Sequence, residues 1–476
     1  MQRRNFLSCL LATTAGLVTN PNQLIGLAAT STLKGSDFGK NFVWGVATAA
    51  YQIEGAASAD GKGPSIWDEF THRKGKVKNN ENGDKACEFY YRYKEDLELM
   101  RLLGIPAFRF SIAWSRLFPE GIGRINPAGV DFYHRVIDTC LEKEITPWIT
   151  LYHWDLPLAL EKKGGWLNRE IIHWFSEYCD FCTKTYGDKV KNWMVLNEPM
   201  AFVGVGYFLG YHAPGRKGIF SFLKATHHAT LAQGIGGKVV KANVSGANVG
   251  TTFSCSHIAA YRNDKEKDQI AAMRADALFN RLFLEPALGL GYPIESLPFL
   301  KYIERYFQPG DEEKMKFDFD FVGLQNYTRE LVKYSPFVPM LWAKIVPASK
   351  RGIRTTEMGW EIYPEGIYCL LKKFASYPQV KKIYITENGV AFPDTVLLGE
   401  VYDYDRIEFL ESYLKQVLRA KREGVPVEGY FIWSFMDNFE WAEGYKPRFG
   451  IVYVDFETQK RIIKQSGYWY RNLIHS

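Results

Sequence analysis

Short apolar runs alternate with longer amphipathic stretches along most of this chain. Runs rich in β-branched and aromatic residues occupy 42–49, 107–114, 146–154, 193–197, 248–255, 319–325, 382–386 and 429–435. Between them lie stretches of helical period. Residues 87–103 alternate charge with Phe89, Tyr90, Leu97 and Leu102, and 130–143 and 171–186 behave alike. In 405–423 a stripe of Ile407, Leu410, Leu414, Val417 and Leu418 marks one face. Gly104 and Gly424 stop two of these helices. Eight strands alternating with helices predict a parallel sheet with helical crossovers. Strands apolar along their whole length fit a sheet covered on both faces. An open doubly wound sheet would carry a glycine-rich phosphate turn after its first strand. Here the first strand runs into Thr48-Ala49-Ala50-Tyr51-Gln52-Ile53-Glu54-Gly55, which has no such turn. The pattern therefore predicts an α/β fold, a closed (β/α)8 TIM barrel, as a single domain over 36–476 with long βα loops.

Composition sharpens that picture. The chain has 476 residues, 46% apolar, 15% aromatic and 24% charged, which excludes a disordered, collagen-like or disulfide-scaffold protein. At roughly 150 residues per domain the length suggests about three domains. No linker or internal repeat beyond the β/α rhythm supports that division. A minimal barrel needs about 250 residues, so the surplus is expected in loops over the strand ends. The net charge of +6 is spread without a basic block, so no nucleic-acid groove is expected. No run of 18 apolar residues suggests a spanning helix. Seven dispersed cysteines form no disulfide framework. Cys179 and Cys182 are a helical pair without a second pair at zinc-ligand spacing.

Residues 1–29 have a different character. Arg3-Arg4-Asn5-Phe6-Leu7 is followed by a mildly apolar stretch to Val18 and then by small residues Gly26, Ala28 and Ala29. That order is the layout of an export signal, and the arginine pair is similar to a twin-arginine signal. Export, with a periplasmic destination, is the expectation.

Chemistry in a barrel sits at the C-terminal ends of the strands. Strand one ends near Gln52, and strand two carries Arg109. Strand three ends in Tyr152-His153-Trp154-Asp155 and strand four in Asn197-Glu198-Pro199. Strand six ends in Gln325-Asn326-Tyr327 and strand seven in Thr386-Glu387-Asn388-Gly389. Strand eight ends in Trp433-Ser434, with Asp437-Asn438-Phe439-Glu440-Trp441 beyond. Amides, carboxylates, one arginine, one histidine and indole faces are what a sugar requires. Hydroxyls bond to the polar groups, and ring C–H faces stack on indoles. Strands four and seven face each other across a barrel mouth, and glycoside cleavage needs two carboxyl groups flanking one bond.

Phe42-Val43-Trp44-Gly45 through Gly55, Leu151-Tyr152-His153-Trp154-Asp155-Leu156-Pro157, Asn197-Glu198-Pro199, Ile385-Thr386-Glu387-Asn388-Gly389 and Trp433 through Trp441 occur in order. So do Gly206 through Gly215 and Met358-Gly359-Trp360-Glu361 through Gly366. Together they resemble glycoside hydrolase family 1, the β-glucosidase family, over nearly all of 36–476. The resemblance implies a retaining β-glycosidase working through a covalent glycosyl-enzyme. Glu198 would be the acid/base and Glu387 the nucleophile, with Arg109 and Tyr327 bonding the nucleophile. Asn197 would grip the 2-hydroxyl. Gln52, His153, Glu440 and Trp441 would hold other hydroxyls, Trp433 would form the floor, and Trp360 would stack on the leaving-group side. Substrates would be small β-glucosides or oligosaccharides, with β-galactosides or β-fucosides as further ones. No metal or organic cofactor is implied, since paired carboxylates need none.

One departure stands out. The family often reads Asn-Tyr-Tyr where this chain has Gln325-Asn326-Tyr327, so Gln325 would replace the sugar-binding Asn and Asn326 the first Tyr. Members acting on 6-phosphoglycosides carry Ser, Lys and Tyr after strand eight. Here those positions are Glu440, Pro447 and Phe449, and a carboxylate would repel a phosphate. Plant-type thioglucosidases replace the acid/base with Gln, whereas position 198 is Glu. The alternatives are a transglycosylase with the same residues, or a sugar-binding protein without catalysis. The leaving-group preference, set by loops such as 334–356, and the oligomeric state are not fixed by the sequence.

Overall fold

A computed structural model describes residues 33–476. The export-signal expectation for 1–29 lies outside the described residues. The core is a closed parallel barrel of β1 (Val43–Ala47), β2 (Ala107–Ser111), β3 (Thr146–Tyr152), β4 (Asn192–Asn197), β5 (Asn248–Ser254), β6 (Phe321–Gln325), β7 (Ile383–Asn388) and β8 (Val427–Trp433), each bonded to its neighbours in chain order and β8 closing on β1. Closure pairs Ala47 with Trp433, the last residues of β1 and β8, and on its other side Ala47 pairs with Arg109 in the middle of β2.

Helices cover the barrel as the pattern predicts. α1 (Phe89–Leu102) and α2 (Pro127–Glu142) follow β1 and β2, and α3 (Ile171–Tyr186) and α4 (Ile219–Asn243) follow β3 and β4. α2 starts on Pro127, whose missing N–H costs nothing at a helix start. α3 buries Ile171, Phe175, Tyr178, Cys179, Cys182 and Tyr186 at spacings of three and four. Cys179 and Cys182 are thus buried free thiols on its inner face. Further along come α5 (Glu266–Asp276), α6 (Glu365–Ala375), α7 (Tyr404–Arg422) and α8 (Gln465–Ile474). Among the described residues no helix is long and apolar enough to cross a membrane.

The floor of the barrel is an aromatic plug. Trp148 packs against Tyr384, Phe431 and Phe321, with ring centroids 4.9, 5.2 and 5.7 Å apart. Small neighbours make room for it: a Cβ on Gly250 would lie 2.3 Å from the Phe321 ring. Water is thereby excluded from below, and the open end is the C-terminal one.

The surplus length is more ordered than loops alone. His257–Ala260, Arg329–Tyr334 and Ala343–Ile345 form a separate three-stranded sheet after β5 and β6. α5 packs on it, and Ala271, Ala272, Ala275, Val332 and Ala343 make its small core. The segment 334–356, expected as a loop, contains its last strand. Gln52 is also displaced from its expected place. β1 ends at Ala47, and Gln52 lies in a one-turn helix, Ala50–Ile53, beyond it.

Candidate active site

The ladders of β4 and β7 are irregular where they approach the open end. β4 loses register against β5 between Met194 and Asn197, and β7 against β6 between Ile385 and Glu387. Such irregularities re-aim side chains. Here they fall on the strands that present Glu198 and Glu387. Gly389 closes the second motif because a Cβ there would lie 1.7 Å from the Trp433 carbonyl oxygen.

Glu198 and Glu387 both line one cavity of about 320 Å³. His153, Tyr327, Trp360, Trp433, Glu440, Trp441 and Phe449 line it too. Three of its walls are held in the left-handed region of backbone space, Trp154 at φ 78°, Glu198 at φ 45° and Trp441 at φ 49°. A non-glycine residue there costs about 1–3 kcal/mol, and such positions concentrate at functional sites.

Arg109, fully buried inside the barrel, organises the floor of the site. Its guanidinium donates to the Glu387 carboxylate, to Asn197 Oδ1 at 2.5 Å and to the Thr386 carbonyl at 3.2 Å. Tyr327 donates its hydroxyl to the other Glu387 oxygen at 2.6 Å. Asn197 Oδ1 also accepts from Gln325 Nε2 at 2.8 Å and Thr252 Oγ1 at 3.0 Å. Three donors on one oxygen fix the orientation of that amide, so its Nδ2 must be the atom 2.9 Å from His153 Nε2. His153 therefore accepts at Nε2 and carries its proton on Nδ1. Burial, helped by Arg109, holds its pKa well below the ordinary value, so the ring is neutral. Among the described residues the Nδ1–H has no partner and is free to donate. Gln52 is the complement. Its Nε2 donates to Asn438 Oδ1 at 3.0 Å, the Phe439 carbonyl at 2.8 Å and Glu440 Oε2 at 3.3 Å, which leaves a buried, unpartnered Oε1 as an acceptor.

Burial raises the pKa of both central carboxyls. For Glu387, Arg109 and Tyr327 oppose the rise. Glu198 has only the Ser254 hydroxyl and a weaker pull from Arg109, while the charge on Glu387 adds to the push, up to about 8. Of the two, Glu387 ionises first and Glu198 keeps the proton at neutral pH. One anion and one acid facing one cavity can perform nucleophilic attack and proton donation together. Glu440 is pushed up to about 8, by burial first and then by Glu387.

One expected sugar contact needs correction. Asn326 is absent from the cavity wall. Its Nδ2 donates to the Cys255 and Thr328 carbonyls at 2.9 Å each, so it braces the chain after β6. Gln325 stands beside Asn197 just behind that wall, where its Nε2 orients the Asn197 amide, and its Oε1 has no partner among the described residues, as with Gln52. Conversely, Trp154, His212, Glu330, Met358 and Glu443 line the cavity without having been singled out. Trp154, His212 and Met358 fall inside the family-like motifs, and Trp154 donates to the Asn197 carbonyl at 2.9 Å. Glu330 carries no signal beyond its place three residues after Tyr327.

A closed (β/α)8 barrel with an ion-paired carboxylate and a protonated carboxyl in one polar cavity defines a glycoside-cleaving class of enzyme. Comparison with known proteins gives the family. The model for glycosyl hydrolase family 1 matches residues 34–476. Beta-glucosidase A of Thermotoga maritima is 49% identical over 441 residues, 92% of this chain and 97% of that protein. A bifunctional beta-D-glucosidase/beta-D-fucosidase of Bifidobacterium breve is 40% identical over 92% of this chain and 98% of its own. The structure of the Thermotoga maritima family 1 glycoside hydrolase, complexed with a cyclophellitol analogue transition-state mimic, superposes with a TM-score of 0.88 at 47% identity, covering 92% of this chain and 97% of that one. The chain belongs to glycosyl hydrolase family 1.

Proposed function

We propose that this enzyme is a retaining β-glucosidase acting on small β-glucosides, with β-fucosides or β-galactosides as further substrates. The observation that carries the reading is the unequal setting of the two carboxyls. Glu387 is ion-paired to Arg109 and bonded by Tyr327, while Glu198 lacks an ion pair. In the first step the Glu387 carboxylate attacks the anomeric carbon. The C–O bond to the leaving group breaks, and the departing oxygen takes the Glu198 proton. Esterification removes the charge on Glu387, so the pKa of Glu198 falls and it persists as the anion that can serve as base for water. Water then attacks the anomeric carbon and gives its proton to Glu198, and the ester bond breaks to restore both groups. The two inversions return a β-product.

The polar walls suit a sugar. The second hydrogen on Asn197 Nδ2 reaches a 2-hydroxyl, His153 Nδ1–H donates, and Gln52 Oε1 with Glu440 accepts. Trp433, Trp441 and Trp360 supply stacking faces. The name of the Bifidobacterium relative supports the fucoside reading.

Glu387→Gly is expected to abolish hydrolysis of an aryl β-glucoside, with azide restoring turnover as an α-glucosyl azide. Unchanged hydrolysis by that variant would end the assignment. Comparable rates on α-linked substrates would overturn the stereochemistry, and dominant transfer to added alcohols would favour a transglycosylase.

We also propose that residues 1–29 export the enzyme to the periplasm. The ordered arginine pair, apolar stretch and small residues support this. Replacing Arg3 and Arg4 by lysine should leave the precursor in the cytoplasmic fraction. Equal periplasmic recovery of both forms would refute the arginine pair as the signal.

A further inference from the structure

The groups on the cavity wall that can carry charge are acidic. Glu198, Glu330, Glu387, Glu440 and Glu443 line it, while no lysine or arginine does. The two histidines on the wall, His153 and His212, are held neutral by burial. Four of the five carboxyls have work or a partner. Glu198 has Ser254, Glu387 has Arg109 and Tyr327, Glu440 has Gln52, and Glu443 pairs with Lys78. Glu330 has no hydrogen-bond or ion-pair partner among the described residues. Its flanking residue Arg329 is spent on Glu361, which also takes Arg351.

Its place is defined by topology. The chain leaving β5 passes Ser254, which bonds Glu198, then Cys255 and Ser256 on the cavity wall, and enters the strand His257–Ala260. In that strand Ile258 is paired with Glu330. Glu330 thus lies beyond the proton-donating carboxyl, with Thr328, Met358 and Trp360 on the same wall. The hydroxyl-binding groups Gln52, His153, Glu440 and Trp441 belong to the ends of β1, β3 and β8. In that reading the departing oxygen takes its proton from Glu198, so the group attached to it lies on the Glu198 side of the cavity, whose wall includes Ser254, Ser256 and Glu330.

We propose that Glu330 is a specificity-determining residue of the leaving-group side, whose unpartnered carboxylate selects cationic and hydroxyl-rich leaving groups and rejects anionic ones. The proposal rests on the β-glucosidase reading above, since that reading assigns Glu198 to the leaving oxygen. Burial pushes the Glu330 carboxyl up to about 7, against the pull of Arg351 and with a further push from Glu361. A half-buried carboxyl has lost part of its water, and with no hydrogen-bond partner of its own it gains from a bound group that supplies one, which makes the choice of that group energetically consequential.

The test uses three aryl β-glucosides of matched size, with para-aminomethyl, para-hydroxymethyl and para-carboxyl phenols as leaving groups, at a fixed pH above 7. Native enzyme, Glu330→Gln and Glu330→Lys are compared through the ratio of kcat/KM between cationic and anionic substrates. Comparing ratios across variants cancels the intrinsic reactivity of each phenol. The ratio should fall on the order of tenfold in Glu330→Gln, as expected for one charge at short range near a protein surface, and further in Glu330→Lys. The change should fall mainly in KM. An unchanged ratio, or an equal loss on all three substrates, would overturn the proposal. Absence of β-glucoside hydrolysis by the native enzyme would instead refute the underlying reading.

Discussion

Removing one hydroxyl tests the electrostatic division between the two carboxyls. Tyr327 donates to Glu387 Oε2 at 2.6 Å, while Arg109 holds the other oxygen. In Tyr327→Phe the ring stays, with its contacts to Trp360 at 5.4 Å and Phe449 at 6.0 Å between centroids. The change is therefore confined to the donor. A hydrogen bond to an ionised group contributes about 1.5–3 kcal/mol. If it favours the Glu387 anion over the acid, its loss raises that pKa by about one to two units at 1.36 kcal/mol per unit. The acidic limb of kcat/KM against pH reports the free enzyme, so it should move to higher pH by that amount. On the native acidic limb the variant should lose about 10- to 150-fold in kcat/KM, with the deficit shrinking as pH rises. The assay is an aryl β-glucoside followed across pH. A deficit equal at every pH, with the limb unmoved, would refute the argument and make Tyr327 a positioning group only.

Other outcomes follow from the same geometry. Glu198, pushed up to about 8, must be protonated to act as an acid, so kcat/KM on a poor leaving group should fall as pH rises through about 8. Native enzyme on a dinitrophenyl glucoside, whose leaving group needs no proton, should lack that limb, and Glu198→Gln should keep most of its kcat/KM on this substrate while losing it on the poor leaving group; a limb that persists near pH 8 on the dinitrophenyl glucoside would transfer the titration to Glu440. Gly389→Ala forces a methyl against the Trp433 carbonyl, and should cost about 1–3 kcal/mol in denaturant unfolding together with activity. Lys464, fully buried, pairs with Asp394 and with Asp437 at 2.7 Å. Lys464→Met should destabilise by about 3–5 kcal/mol, because it leaves buried carboxylates short of a partner; a shift below 1 kcal/mol would refute that account.

The barrel was legible because its signal is repeated eight times, and α3 was read residue for residue because its apolar stripe is continuous. Apolar runs extend past the strand ends, at 48–49, 112–114, 153–154, 255 and 434–435. There Ile112, Ala113 and Trp114 stay buried after leaving the ladder, and apolar character reports burial rather than strand pairing. The small sheet was missed because its strands are three to six residues long, and one of them reads Arg329-Glu330-Leu331-Val332-Lys333-Tyr334. Its order comes from packing on α5, which no local pattern encodes. Among the candidate site residues, motif position brings Glu198, Glu387 and Tyr327 to one cavity wall. It misassigned Asn326, since adjacency at a strand end does not say whether an amide turns toward the cavity or back to the chain.

The unfavourable features of the site have a common cause. Trp154, Glu198 and Trp441 hold left-handed backbone, β4 and β7 lose register, and several carboxyls share one cavity. Each would be removed by selection for stability alone. The surroundings over-determine them. The aromatic plug fixes the barrel from below, and Arg109 ties Thr150, Asn197, Thr386 and Glu387 from inside. Asn197 in turn orients His153, and Trp154 is tied to the Asn197 carbonyl. Rigid support lets the carboxyls differ in protonation at close quarters without the strands relaxing apart. Water could otherwise enter and level their pKa values, and with them the division between nucleophile and acid. Catalytic asymmetry is thus a property of the whole barrel floor, expressed at two side chains.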